Sequence, residues 1–329
     1  MPHNRLLEKI KSYGIVGPTL NWIEDFLKNR SQKVMVNGAG SEWENVTSGI
    51  PQGSVLGPIL FVICINDLPD TVESDSHLFS DDTKIFRIIK NEDDKEILQD
   101  DLTKLEEWSD KWLFKFHPEK CKHMKISKSK NKETNTYKLL GQYIETVTQE
   151  KDIGVIIDSE LTFENHLCEK VKKATSIFAA MRRTFKYLDT KSFLVIYTTL
   201  VRTHLDYASS VWAPYKMKYI EKIESVQKRV TKQFPGMENL SYPERLNKLG
   251  LPSLAYRRIT GDMIEVYKII KGCYDREASS FLRLMNETGL RFSSRINSNK
   301  IVHQHVKSNK RKYAFTFIRV SDGTNYQIQ

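Results

Sequence analysis

The chain has 329 residues, and its 51 lysines and arginines against 41 acids leave a formal charge of +10, so a polyanion is the simplest partner. Four cysteines (Cys64, Cys121, Cys168, Cys273) lie far apart with no paired spacing, which excludes a disulfide scaffold and suits a reducing compartment. The longest apolar run, from Val55 to Ile65, is broken by Gly57-Pro58 and is too short to cross a bilayer, and no signal peptide precedes it; a soluble intracellular protein of nucleus or cytoplasm, not secreted and without a membrane partner, is expected.

In chain order, residues 6–13 are helical in type, with Leu6, Leu7 and Ile10 on one face and Gly14 as the stop. A second helix starts near Thr19 and buries Leu20, Ile23, Phe26 and Leu27. Val34 and Val36 alternate as a strand that turns at Asn37-Gly38-Ala39-Gly40 and returns through Trp43 and Val46, a hairpin signature. A loop rich in Gly, Pro and Gln (Ser48-Gly49-Ile50-Pro51-Gln52-Gly53) then opens an apolar helix that ends at Asn66-Asp67-Leu68-Pro69. From His77 to Ile89 the pattern is a second hairpin with Ser80-Asp81-Asp82 at its tip and Ile85, Phe86, Ile88 and Ile89 as strand formers. Adjacent carboxylates at such a tip do not easily both stay charged without a cation beside them, and oxygen-only ligands favour a hard divalent ion, magnesium above all. Turn chemistry alone is the alternative.

Residues 91–116 carry Leu98, Leu102, Leu105, Trp108 and Trp112 at helical spacing, with both tryptophans read as core. His117, Cys121 and His123 have no second ligand pair at finger spacing, so a strand alternating Met124 and Ile126 is preferred to a zinc site. Residues 122–132 hold five lysines and no acid, read as a solvated loop able to touch phosphate. Residues 137–144 and 152–158 read as two further strands. Periodicity then switches to helix: Phe163, Leu167, Val171, Ala174, Phe178, Met181, Phe185 and Leu188 run in heptad-like steps to Asp189, and a coiled-coil face is one reading of them. Another helix begins with Thr190 as N-cap and buries Phe193, Leu194, Tyr197, Leu200 and Val201. A third follows through Ile220, Ile223, Gln227, Val230 and Phe234. Residues 291–319 carry eight lysines and arginines and no acids, the mark of a mobile tail that seeks nucleic acid.

Taken together, Gly49-Ile50-Pro51-Gln52-Gly53-Ser54-Val55-Leu56-Gly57-Pro58-Ile59-Leu60-Phe61, Ile65-Asn66-Asp67-Leu68-Pro69 and Phe79-Ser80-Asp81-Asp82-Thr83-Lys84 closely resemble the reverse transcriptases of non-LTR (LINE-type, jockey-like) retrotransposons, in which Ala usually stands where this chain has Ser80. The resemblance extends over roughly residues 2–275. It implies an α+β fold, an antiparallel-sheet polymerase palm (1–158) followed by an α-helical thumb and post-thumb region (159–275) and the basic tail (276–329), without fingers. It implies RNA-templated DNA synthesis from a DNA primer and deoxynucleoside triphosphates. Asp81 and Asp82 would ligate Mg2+ as catalytic residues. Pro51, Gln52, Gly53, Phe79 and Ser80 would face the incoming nucleotide and templating base, although a plain helix-entry loop with Gln52 solvated is the alternative.

Lys120, in Phe116-His117-Pro118-Glu119-Lys120-Cys121, takes the place of a lysine near the triphosphate and would assist the leaving pyrophosphate; a solvated turn lysine is the other reading. Asp152-Ile153-Gly154-Val155-Ile156-Ile157-Asp158 matches the family's primer-grip signature, with Gly154 letting the primer backbone come close, whereas a bulge is its plain structural reading. Tyr207-Ala208-Ser209-Ser210-Val211-Trp212-Ala213-Pro214 matches a thumb landmark, and Lys170, Lys172, Lys173, Arg182, Arg183 and Lys186 would follow a duplex backbone. The family pattern places a third catalytic aspartate two residues before Met1. The resemblance therefore leads us to expect a truncated chain that holds metal weakly and is inactive alone, with a non-catalytic nucleic-acid-binding remnant as the alternative function.

Overall fold

The computed structural model describes residues 1–127, 135–185, 187 and 189–275. Lys186, Leu188, much of the lysine-rich 122–132 segment and the whole basic tail therefore lie outside the described residues. Two compact units emerge, one of Met1–Lys125 with Ser129–Thr148, the other of Ile126–Lys128 with Gln149 onward. The division falls before the hairpin that contains Gly154, earlier in the chain than the boundary at 158 expected from the sequence.

The first unit is built on α1 (His3–Ser12) and α2 (Pro18–Leu27), whose apolar stripes meet as expected: Leu6, Ile10 and Leu27 are fully buried. Paired strands β1 (Ser31–Gln32), β2 (Met35–Val36), β3 (Ala39–Gly40) and β4 (Glu44–Asn45) follow, β2 joining β3 through Asn37-Gly38. Both turn residues have positive φ, which is what a two-residue turn matched to strand twist requires. Next come α3 (Leu56–Ile65), the hairpin of β5 (Asp75–Phe79) and β6 (Asp82–Phe86), and α4 (Glu92–Trp112). Asn91 caps α4 in a reciprocal box with Asp94, and three acids occupy its positive first turn. The helix stops at Trp112, short of the expected Phe116, because Leu113 turns left-handed at φ 54° and Phe114 N–H donates back to Ser109 O at 2.9 Å. Leu60, Leu68, Leu105 and Trp108 complete this core.

The unit ends with β7 (Lys122–His123), β8 (Lys138–Leu139), β9 (Gln142–Tyr143) and β10 (Glu145–Thr146). Here β8 and β9 form a hairpin around Tyr137, Leu139 and Ile144, while β10 runs parallel to β7. The expected single antiparallel sheet is not present among the described residues: all strands are joined in two-stranded pairs. Most of these ladders are only two residues long, and a pair that short offers no edge on which a broad sheet could grow.

In the second unit β11 (Gln149–Asp152) and β12 (Val155–Asp158) form a hairpin, so residues 152–158 are not the one strand read from the sequence; the chain reverses at Ile153-Gly154, both at positive φ. The long helix α5 (Glu164–Thr184) buries Leu167, Ala174, Phe178 and Met181. Then come α6 (Thr190–Ile196), a π-helical turn (Tyr197–Val201), α7 (Thr203–Asp206), α8 (Ser209–Trp212), α9 (Met217–Thr231), α10 (Tyr242–Leu249) and α11 (Leu254–Ile270). The cap of α6 is Asp189 and not Thr190, because the Asp189 carboxylate accepts from the Lys191 and Ser192 amides. A buried polar network organises the last three helices. Glu224 on α9 accepts from the Leu254 and Ala255 amides at 3.1 and 3.2 Å, closing the start of α11, and from Tyr242 Oη. Gln227 accepts from Tyr197 Oη at 2.6 Å and donates to Tyr242 Oη and Pro252 O. No described helix is long and apolar enough to cross a membrane.

Candidate active site

The hairpin β5–β6 pairs Phe79 with Asp82, Leu78 with Thr83 and His77 with Lys84. Only Ser80 and Asp81 therefore form its turn, and Asp82 is the first residue of the return strand. Ser80 takes φ 54°, a conformation that a small polar residue tolerates better than a branched one. Alternation sorts the side chains: Leu78 and Ile85 pack on the first core, while Phe79, Asp82, Lys84, His77 and Phe86 share the exposed face. Both Asp81 and Asp82 are exposed, as are Phe79 and Ser80. The two carboxylates thus lie in solvent at the end of the ribbon, Asp81 in the turn and Asp82 at the start of the return strand.

The base of the ribbon is held by charge. Asp101, fully buried on α4, accepts from the Glu73 and Ser74 amides at 2.8 and 2.9 Å, just where β5 begins. Burial opposes its ionisation, but the bonds from Ser74 and Glu73 outweigh that and hold the carboxyl below the ordinary aspartate range. On the other strand, Arg87 follows β6 and reaches Asp94 of α4 and Glu73, each at 3.2 Å. Sequence reasoning did not single out Asp101, whose partners are 27 and 28 residues away, or Arg87, whose partners flank its own hairpin.

The loop Pro51-Gln52-Gly53 enters α3 beside the same core, to which Ile50 and Leu56 contribute. Gly49 and Gly53 are at φ 84° and 79°, and Gly57 is where space is short: a Cβ there would meet Ser54 Oγ at 2.9 Å and Pro51 O at 3.1 Å. Ser54 Oγ donates to Pro51 O at 2.8 Å and accepts from Gly57 N–H at 3.0 Å, which ties the loop shut. Its entrance is pinned by the N-terminal residues, unforeseen from the sequence: Gly49 N–H donates to Met1 O at 2.9 Å, and buried His3 bonds through Nε2 to Gly49 O at 2.8 Å. Gln52 itself is exposed.

The far end of α3 is fixed by a second unforeseen group. Lys9, 3% exposed, donates to Cys64 O and to Asp67, whose carboxylate also accepts from Trp108 Nε1 at 3.0 Å. Its ammonium lies 4.1 Å from the centre of the Trp112 ring.

Lys120 sits in a one-turn 3-10 helix, Pro118–Lys120, exposed to solvent. His117 is exposed, whereas Cys121 packs beside the β8–β9 hairpin and the His123 ring lies edge-on to Tyr137, 4.9 Å away. Among the described residues no group of three or more His, Cys, Asp or Glu converges as a metal cage, at these positions or elsewhere. Gly154, in the second unit, occupies a turn and not a bulge, against the ring of Tyr207. On α5, Lys172, Lys173, Arg182 and Arg183 are exposed and Lys170 half-buried.

Residues 1–144 match the family model for reverse transcriptase (RNA-dependent DNA polymerase). The chain is 28% identical over 254 residues to the RNA-directed DNA polymerase from mobile element jockey of Drosophila funebris, covering 71% of this chain and 27% of that protein. It is 26% identical over 247 residues to a probable RNA-directed DNA polymerase from transposon X-element of Drosophila melanogaster, again covering 27% of the relative and 72% of this chain. An uncharacterized protein of Caenorhabditis elegans is 24% identical over 126 residues, 37% of this chain and 64% of its own. The chain thus spans about a quarter of the length of the two fly polymerases.

Proposed function

From the premise that residues 1–144 are a reverse-transcriptase domain of the non-LTR retrotransposon family, we propose that the chain supplies the metal-holding hairpin and the nucleotide-facing loop of an RNA-directed DNA polymerase. The observation that carries this reading is the hairpin itself: two exposed carboxylates at the end of a ribbon whose base is clamped by Asp101 and Arg87. The paired oxygen donors of Asp81 and Asp82 fit a hard divalent ion, and we assign magnesium. Held by Asp81 and Asp82, such ions would neutralise charge on an attacking 3′-hydroxyl and a leaving pyrophosphate.

The chain's own residues have these roles. Gln52, on the loop fixed by Ser54 and Gly57, contacts the nascent base pair, with Pro51 and Gly53 shaping the loop. Phe79 and Ser80 border the nucleotide. Lys120 neutralises or protonates the leaving group, and Gly154 lies along the primer. Residues 1–158 are the palm; α5 and the helices after it are the thumb, whose lysines and arginines follow the phosphates of an RNA–DNA duplex.

A specific observation favours a second reading, a non-catalytic nucleic-acid-binding protein: among the described residues no third ligand joins Asp81 and Asp82. Manganese, a paramagnetic stand-in for magnesium, separates the two. In the full chain Mn2+ should broaden the amide signals of residues 79–83 selectively, and Asp81→Asn or Asp82→Asn should remove the effect. Uniform or absent broadening would leave only the binding reading.

A further inference from the structure

The landmark segment 207–214 plays no part in the chemistry above, yet it is wired to the turn that carries Gly154. Tyr207 Oη donates to Ile153 O at 2.8 Å, and its ring lies against Gly154, where a Cβ would be in contact with Tyr207 Cε1 at 3.4 Å. The tyrosine is 50% exposed, so burial gains it little and its specific contacts are with this turn. Its own backbone is held in place: Tyr207 O accepts from Trp212 Nε1 at 2.7 Å, and Trp212 is 2% exposed. The Trp212 ring lies 5.3 Å from that of His166, whose Nδ1 accepts from Ile156 N–H at 3.1 Å on the strand leaving the turn. One step before Tyr207, Asp206 accepts from Arg257 Nε at 2.5 Å, tying the end of α7 to α11. The β11–β12 hairpin is thus bolted to the helical body at its tip by Tyr207 and along its second strand by His166.

We propose that Tyr207 is a positioning residue for the primer strand: it locks the Ile153-Gly154 turn in the left-handed conformation that brings bare backbone against the sugar-phosphate chain next to the primer 3′ end. This rests on the reading that Gly154 borders the primer. A turn of two positive-φ residues, one of them the β-branched Ile153, is strained unless neighbours enforce it, and the hydroxyl-to-carbonyl bond does so.

The test uses the full chain, its Tyr207→Phe variant and the Gly154→Ala variant. Two quantities are measured: hydrogen exchange of the Val155 amide at the base of the turn, and affinity for an RNA–DNA duplex with a recessed primer 3′ end relative to a blunt duplex of equal length. Tyr207→Phe should speed Val155 exchange by roughly five- to tenfold, the value of one lost hydrogen bond, and reduce the recessed-over-blunt preference by several-fold while leaving blunt binding unchanged. Gly154→Ala, which keeps Tyr207 but strains the turn, should lose the same preference. Faster exchange with an unchanged preference would show a merely structural contact and overturn the proposal, as would unchanged exchange. A wild-type chain with no recessed-end preference would instead remove the primer-facing reading of the turn, a result distinct from failure of the variants.

Discussion

Asp101→Ala tests how the hairpin that carries Asp81 and Asp82 is held. The substitution strands the Glu73 and Ser74 amides at the start of β5, and Ser74 is 6% exposed, so water repays little there. A buried donor left without a partner costs about 1–3 kcal/mol. With the Glu73 amide closer to solvent, the first unit should lose roughly 2–4 kcal/mol. Four of the five tryptophans (Trp22, Trp43, Trp108, Trp112) lie in this unit, so urea unfolding followed by tryptophan fluorescence reports on it. The effect has a pH signature. Because the folded carboxyl is held below its unfolded value, its stabilisation is fully present above about pH 4 and is lost as pH falls through the folded pKa. The wild-type and variant midpoints should differ at neutral pH and converge in acid. A difference below about 0.5 kcal/mol at pH 7, or one that persists unchanged in acid, would show that the Asp101 carboxylate does not hold the start of β5.

His166 is buried, accepts the Ile156 amide, and has its pKa pushed down to about 4, chiefly by burial with a further contribution from Lys170. The second unit should therefore lose roughly 3 kcal/mol as pH falls from 6.5 to 4, a slope that His166→Gln removes in acid denaturation; equal slopes would contradict it. Glu224→Ala leaves the first amides of α11 and Tyr242 Oη without their acceptor and should cost roughly 2–4 kcal/mol, with a double-mutant cycle against Tyr242→Phe giving clear non-additivity; additive losses would dissolve the network. Leu113→Gly, at φ 54° just past α4, should stabilise the first unit by about 0.5–1 kcal/mol in urea melts, and a loss would show that the exposed Leu113 side chain matters more than its backbone strain.

What the sequence revealed tracks what is local. The start of α4 near Asn91, the Asn37-Gly38 turn and the apolar stripes of α1, α2 and α5 follow from spacing, and the Asp-Asp tip was visible as a hairpin. Which aspartate sits in the turn was not, because register depends on how Leu78 and Ile85 meet the core. The Ile153-Gly154 reversal stayed hidden because Gln149–Asp152 is polar and mostly exposed, without the alternation that marks a strand. Asp189 lost the N-cap to its neighbour Thr190 in the sequence reading, since both are good caps and only the chain's path decides. Lys9, His3, Asp101 and Glu224 could not be recognised as organising groups, because each finds its partners only after distant segments fold together. Single-residue chemistry on a helix face reads as surface until the opposing carbonyl, ring or amide is known.

Primer extension asks directly whether Asp81 and Asp82 serve RNA-templated DNA synthesis. The chain spans about a quarter of its fly relatives, so it is assayed both alone and joined into the full-length jockey relative in place of the matching segment, on an RNA template with a DNA primer and deoxynucleoside triphosphates. The joined protein should extend the primer in a magnesium-dependent way, an activity abolished by Asp81→Asn and by Asp82→Asn while primer–template binding persists. A joined protein that folds and binds primer–template but adds no nucleotide, or one that extends equally well with either aspartate replaced, would contradict that role.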